Sequence, residues 1–215
     1  MQSVDSTLIV FARAPILGQV KTRLARSLGD AMTLKVYEYL LANALEMAVA
    51  SQFDRVCCYT DKPDHIFFNH WLPQNRQHQQ GRTVIMATQS GDDLGERMLT
   101  AIRQQLLSSE SVALMGSDCL QLDTAILNQV ALELRQQHVI IPANDGGYVL
   151  IGFKKEAEHS VFESINWGSD QVFSDTLQKF KSAALACKQF PSLQDIDTIE
   201  DYKCLKKSDQ MIIGL

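Results

Sequence analysis

Leu8-Ile9-Val10-Phe11-Ala12-Arg13-Ala14-Pro15-Ile16-Leu17-Gly18-Gln19-Val20-Lys21-Thr22-Arg23-Leu24 is the stretch on which the reading of this chain turns. An apolar run, Leu8 to Phe11, stops abruptly and gives way to a loop with Pro15, Gly18 and three cations, Arg13, Lys21 and Arg23. A long helical pattern follows. A strand that ends in a basic Gly/Pro loop and feeds a helix suits phosphate: backbone N–H groups face the anion and Lys and Arg neutralise it. Pro15 fixes φ, and Gly18 permits a left-handed turn or close approach of a ligand. The plainer alternative is a solvated turn with surface cations. The pattern is not a Walker loop, because Val20 stands where that motif needs a Gly before the Lys.

The rest of the composition makes this local positive charge conspicuous. The chain has 215 residues, 46% of them apolar, and a formal net charge of −5. An acidic chain is a poor general binder of nucleic acid, yet a few local cations can hold a small anion. Cys57, Cys58, Cys119, Cys187 and Cys204 make an odd count without a Cys-x-x-Cys, the usage expected of reduced thiols. The N-terminus lacks the basic n-region and cleavage site of a signal peptide, and no apolar run is long enough to span a bilayer, so the expectation is a cytoplasmic protein.

Strand and helix signals alternate along the chain. Leu8–Phe11, Arg55–Thr60, Thr83–Ala87, Ser111–Met115, Val139–Pro142, Tyr148–Phe153 and Ala184–Gln189 read as strands. Helices are predicted over 31–50, from Asp92-Asp93 through Leu106, from Asp123 or Thr124 to about Gln137, over Ser169–Phe180 and over Ile199–Lys206. This order implies an α/β fold with a mostly parallel central sheet and helices on both faces, and ligands sit beyond the carboxyl ends of such strands. Pro63 to Arg82 is Gln-rich and poorly periodic, and reads as an irregular excursion. Without a repeat, linker or composition shift, residues 1–215 are expected to form a single domain.

Four further clusters sit at strand ends or helix starts. Gly116-Ser117-Asp118 ends an apolar strand; Asp118 either turns the chain or offers a carboxylate to a divalent cation. Asn144-Asp145-Gly146-Gly147 is a complete hairpin turn, or else lets backbone approach an acceptor, with Asp145 as general base. In Asp195-Ile196-Asp197-Thr198-Ile199-Glu200-Asp201, helix capping explains the acids; the alternative makes Asp197 a second metal carboxylate. Asp92-Asp93-Leu94-Gly95-Glu96-Arg97 is an ordinary helix start except for Gly95, which costs roughly 1 kcal/mol inside a helix; close approach of a ligand or strand would explain it. The histidines show no ligand spacing, and His65, His70 and His78 read as surface residues.

Together these blocks resemble a family, the bacterial glycosyltransferase-A-like, nucleotide-diphospho-sugar transferase-like proteins also called selenodomain-associated transferases. The resemblance rests on residues 11–24, Asp92 to Met98, 116–122, 142–152, Trp167-Gly168-Ser169 and 195–201, in order over nearly the whole length. Leu120 and Ile199 stand where the family has Pro, which alters turn rigidity and no ligating group. More distantly the chain is similar to guanylyltransferases that load phospholactate or the molybdenum cofactor.

The resemblance implies a three-layer, Rossmann-like glycosyltransferase-A fold and a transferase acting on a nucleotide sugar or NTP, with an unidentified small-molecule acceptor and Mg²⁺ or Mn²⁺ as cofactor. Glycosyl transfer ranks ahead of nucleotidyl transfer, and a nucleotide-binding module without turnover is the alternative of another class. It also implies residue roles. Ala12, Arg13, Gly18, Lys21 and Arg23 would bind the phosphates, and Asp93, Gly95 and Arg97 would lie near base or ribose. Asp118 and Asp197 would hold the metal, and Gly146, Gly147 and Tyr148 would line the acceptor side. Asp118, Asp145 and Lys21 would be catalytic.

Overall fold

The computed structural model describes residues 4–74, 83–155, 159–205 and 209. Its centre is a seven-stranded sheet built from β1 (Val4–Phe11), β2 (Arg55–Thr60), β3 (Val84–Thr88), β4 (Ser109–Met115), β5 (His138–Pro142), β6 (Tyr148–Lys154) and β7 (Cys187–Gln189), in the order β3-β2-β1-β4-β6-β5-β7. β6 runs antiparallel to both of its neighbours and every other pairing is parallel. The mostly parallel expectation therefore holds, with one reversal made by the tight turn at 143–147.

Alternation along the strands sorts side chains onto two faces. Leu8 and Val10 of β1, with Cys58, Ala113 and Met115, pack beneath α2 (Asp30–Ala50), α3 (Ile66–Gln74) and α5 (Thr124–Glu133). Ile9, Cys57, Tyr59, Val112 and Leu114 face α4 (Leu94–Leu106) and α6 (Val172–Ser182) on the other side. Adjacent Cys57 and Cys58 thus point to opposite faces, as strand geometry requires. All five cysteines are free. A third cluster joins Leu24 of α1 (Thr22–Leu28) and Val36 and Leu40 of α2 to Ile196 and to Tyr202 of α7 (Ile199–Lys203). This cluster ties the tail of the chain back to the first loop.

The helix boundaries depart from expectation in four places. The long pattern after Lys21 is two helices, because Gly29 at φ 75° breaks it. Pro63 to Arg82 is not wholly irregular: α3 occupies Ile66–Gln74 and buries Phe68 and Trp71 in the core; residues 75–82, His78 included, lie outside the described residues. α6 begins at Val172 rather than Ser169, after a turn. The last helix ends at Lys203, and Lys206 lies outside the described residues. No helix among the described residues is long and apolar enough to cross a membrane.

The connections place the site. From β1 the chain steps outward through β2 and β3, then returns so that β4 lies on the other side of β1. Strand order reverses between β1 and β4, and such a switch point opens a crevice at the carboxyl ends of the two strands. The loops that leave those ends are residues 12–21 and 116–123.

Candidate functional site

The loop after β1 is held by side chains from three directions. Tyr37 of α2 donates its hydroxyl to the Arg13 carbonyl and accepts from the Arg13 N–H, both at 2.9 Å. Asp61 Oδ1 accepts from the Ala14 N–H at 2.7 Å. Gln89 Nε2 donates to the carbonyls of Ala12 and Tyr59 at 2.9 and 3.0 Å. Tyr37 is buried, and burial pushes its phenol up to about 12 although Ser117 and the Arg13 backbone act against the shift.

At the end of this loop Lys21 adopts φ 47° and ψ 46° as the N-cap of α1. A left-handed backbone costs a non-glycine residue roughly 1–2 kcal/mol, so something must hold it. Two carboxylates do. Lys21 Nζ donates to Asp118 Oδ2 at 2.5 Å and to Asp197 Oδ1. The lysine side chain is 6% exposed and the two acids 30% and 35%. Burial alone would lower the Lys21 pKa, but Asp118 and Asp197 outweigh it and hold the ammonium above its ordinary range. Asp197 is brought here because the Ile196 N–H donates to the Asp118 carbonyl at 3.0 Å. Behind it, Thr198 and Asp201 form a reciprocal capping box that starts α7.

Around this triad lies a cavity of about 540 Å³. Arg13, Lys21, Arg23 and Arg97 supply its cations, Asp118 and Asp197 its acids, and Ala12, Tyr37, Gln89 and Ser117 much of its remaining wall. Residues far apart in sequence thus meet at the β1/β4 switch point. Sequence reasoning missed Tyr37, Gln89 and Ser117; only the Ser117 position, beside Asp118 in a strand-ending motif, carried a signal.

Other expected residues sit differently. Gly18 is exposed at φ 72° and lies outside the cavity wall. Asp93 uses its side chain as the N-cap of α4, accepting from the Glu96 N–H at 2.8 Å. Gly95 is covered by an aromatic ring: a Cβ there would lie 2.1 Å from Trp167 Nε1. That contact, rather than a ligand, explains the helix glycine. Of this block, Leu94 and Arg97 reach the cavity.

A second cavity, of about 480 Å³, adjoins the first and shares Arg23, Leu94 and Asp197 with it. Asp145, Gly147 and Tyr148 line it together with Met98, Trp167, Ser169 and Asp170. Asp145 Oδ1 accepts from the Gly147 N–H at 2.9 Å, the short-range turn bond expected of Asn-Asp-Gly-Gly. Gly146 lies behind the wall, where a Cβ would be 2.1 Å from the Asp170 carbonyl oxygen.

The two acids expected to hold a metal also have a cationic partner. Asp118 and Asp197 share the Lys21 ammonium. Among the described residues, the carboxylates whose ligand atoms converge, all within 4.8 Å of one another, are Asp145, Asp195 and Asp197. Asp195 was read only as part of the helix-start sequence. Burial, then Asp118, Asp145 and Asp197, push its carboxyl up to about 6. Three hard oxygen donors this close together, of which Asp197 alone is paired with a cation, fit a divalent cation of the Mg²⁺ or Mn²⁺ type.

The fold and its switch-point crevice are those of the nucleotide-diphospho-sugar transferase class. The chain belongs to the DUF2064 family, described as an uncharacterized protein conserved in bacteria, whose model matches residues 41–169. Among solved structures, one similar protein is from Desulfovibrio desulfuricans G20 and assigned to the nucleotide-diphospho-sugar transferases. It is 30% identical, with 98% of this chain and 89% of that chain covered and a TM-score of 0.83. The 4-diphosphocytidyl-2C-methyl-D-erythritol synthase of Anaerococcus prevotii DSM 20548 shares the fold at 14% identity, with 96% and 99% covered and a TM-score of 0.60. So does a CMP:2-keto-3-deoxy-manno-octonic acid synthetase complexed with CTP, at 11% identity, with 97% and 98% covered and a TM-score of 0.51. No curated protein matches the chain in sequence. The resemblance read from the six sequence blocks is thereby borne out.

Proposed function

We propose that this chain, acting as a single domain, is a transferase that uses a nucleotide-activated donor, and that it transfers a sugar from a nucleotide sugar. The observation that carries the reading is the convergence of Arg13, Lys21, Arg23 and Arg97 on one cavity at the β1/β4 switch point, with Lys21 held between Asp118 and Asp197. A cavity of that size suits a nucleotide, and its excess of cations suits a diphosphate. The 30% identity to the Desulfovibrio protein supports the transferase class.

In this reading Arg13, Arg23 and Arg97 grip the phosphates, and Lys21 neutralises the charge that develops on the leaving diphosphate. Asp195 and Asp197, beside Asp145, would hold a divalent cation, which supplies further neutralisation there when bound. The acceptor lies in the second cavity. Its hydroxyl oxygen bonds to the anomeric carbon, the bond from that carbon to the diphosphate oxygen breaks, and the hydroxyl proton passes to Asp145. A nucleoside diphosphate leaves with the bonding pair.

Nucleotidyl transfer is the second reading, and the density of cations along 13–23 favours it. There the acceptor oxygen attacks the α-phosphorus and pyrophosphate leaves. Incubation with nucleotide sugars and with nucleoside triphosphates, each with Mg²⁺ or Mn²⁺ and a panel of hydroxylated acceptors, separates the two by ³¹P NMR. Nucleoside diphosphate released with a glycosylated acceptor supports sugar transfer. Pyrophosphate released from a triphosphate supports nucleotidyl transfer and overturns sugar transfer. Nucleotide binding with no product from either series supports the module without turnover.

A further inference from the structure

The two adjoining cavities differ in charge. The first carries Arg13, Lys21, Arg23 and Arg97 against Asp118 and Asp197. The second carries Asp145, Asp170 and Asp197, with Arg23 as its lone cation, on the wall shared with the first. Asp195 lies just behind, its carboxylate within 4.8 Å of those of Asp145 and Asp197. Lys21 pairs with Asp197 but is shared with Asp118, so with a divalent cation on the three acids and both Lys21 and Arg23 counted in full, five carboxylates face four positive charges. An anionic group in the second cavity therefore meets net repulsion, screened by solvent where Asp145 and Asp170 are exposed.

The floor of that cavity is an aromatic ring locked in place. Trp167 stands over Gly95, where a Cβ would lie 2.1 Å from its indole nitrogen. It stacks on Phe162 with centroids 5.9 Å apart and planes at 26°, and meets Tyr148 edge-on at 6.5 Å and 83°. Leu94, Met98 and Val172 complete an apolar wall. The rim is fixed as tightly. The Phe173 N–H donates to the Gly146 carbonyl at 2.8 Å, and Gly146 has no room for a side chain against the Asp170 backbone. The β5–β6 turn and the loop before α6 are thus clamped together, with Asp145 and Asp170 on one mouth.

We propose that the second cavity selects an acceptor that is a ring bearing hydroxyl or amino groups and no anionic group, seated on the Trp167 indole with its polar groups toward Asp145 and Asp170. A flat indole takes the C–H face of such a ring, and ionised carboxylates accept hydrogen bonds from hydroxyl or ammonium groups. Phosphorylated and carboxylated acceptors are rejected by the rim, a specificity set by repulsion as well as attraction. The inference rests on the reading that the first cavity holds the nucleotide.

The test uses glucose, glucosamine and glucose 6-phosphate as matched ring probes. Their binding to the full chain is followed by saturation-transfer-difference NMR, with and without a nucleoside diphosphate whose own binding is measured on the same sample. Glucose and glucosamine are expected to bind, and glucose 6-phosphate to bind at least about tenfold more weakly. Trp167→Ala should weaken the two favoured rings by about tenfold, whereas Trp167→Phe retains most ring binding. Asp170→Lys, at an exposed position, should narrow or reverse the preference against the phosphorylated ring.

Equal or tighter binding of glucose 6-phosphate to the native chain overturns the proposal. So does ring binding that Trp167→Ala leaves intact, or a chain that binds nucleotide and none of the three rings. Failure of the nucleotide to bind contradicts the nucleotide reading instead, and the ring selectivity measured without nucleotide still decides this one.

Discussion

Lys21 Nζ lies 2.5 Å from Asp118 Oδ2, across 97 residues of sequence, and donates to Asp197 as well. The ion triad closes the loop after β1 onto the loop after β4 and the segment before α7. It also places a fixed positive charge at the base of the cavity. Lysine is well suited to this: a compact ammonium with three donors can serve two carboxylates and still present a proton to a third oxygen.

Replacing the lysine tests both roles. Lys21→Met leaves two part-exposed carboxylates facing each other and is expected to destabilise the chain by about 2 kcal/mol, less than a fully buried pair because solvent screens the acids. Urea denaturation at neutral pH reads this. Nucleotide affinity should fall with it. If stability falls and nucleotide affinity is untouched, the triad is structural only.

Gly95 and Trp167 compete for one space. Gly95→Ala puts a methyl group 2.1 Å from the indole nitrogen, so the ring or the first turn of α4 must move. The expected cost is about 1–3 kcal/mol, the range for overpacking, even though alanine is the better helix former by about 1 kcal/mol. Thermal unfolding checks the sign. A variant more stable than the parent would show that the contact yields easily.

Carboxylate substitutions separate the two candidate metal sites, Asp118 with Asp197 and Asp195 with Asp197 beside Asp145. Asp195→Asn and Asp197→Asn are expected to weaken Mn²⁺ binding by about tenfold or more, while Asp118→Asn, whose carboxylate pairs with Lys21, has the smaller effect. Electron paramagnetic resonance of free Mn²⁺ measures this without turnover. Loss in Asp118→Asn and Asp197→Asn, with Asp195→Asn unaffected, would restore the pairing of Asp118 with Asp197 expected from the sequence.

His138 gives a pH dependence remote from the site. Its ring packs against Phe153 and Phe180, and burial, then Lys154, lower its pKa below 6.5. The fold prefers the neutral imidazole, so below about pH 6.5 the unfolded chain binds the extra proton. His138 thus contributes stability that is full above that pH and is lost as the pH falls. Denaturation midpoints between pH 7.5 and 5 should drop less steeply for His138→Gln than for the parent; identical slopes would remove His138 from the account.

Where local pattern carried the signal, the sequence was a good guide. Arg55–Thr60 is a strand with the expected ends, and Asp93 and Asp123 cap the helices they precede. The switch-point loop was recognisable from its abrupt change of chemistry at Phe11. α3 was missed although Phe68 and Trp71 stand at helical i, i+3 spacing, because this short apolar pattern is set in a polar, Gln-rich stretch. Gly95 was recognised as anomalous, but its cause, Trp167, comes from a loop some seventy residues away. The triad itself joins positions 21, 118 and 197, and no local pattern reveals that a lysine read as a phosphate ligand is held by the acids read as metal ligands. Asp195 was likewise invisible as a site residue, since capping accounts for acids at a helix start.

A crystal structure of the chain with a bound nucleotide sugar tests the central claim most directly. The account predicts the diphosphate in the cavity beyond β1 and β4, within hydrogen-bond distance of Lys21 and at least one of Arg13, Arg23 and Arg97. A nucleotide bound elsewhere, with the Lys21–Asp118–Asp197 triad untouched and the cavity holding only solvent, would contradict it.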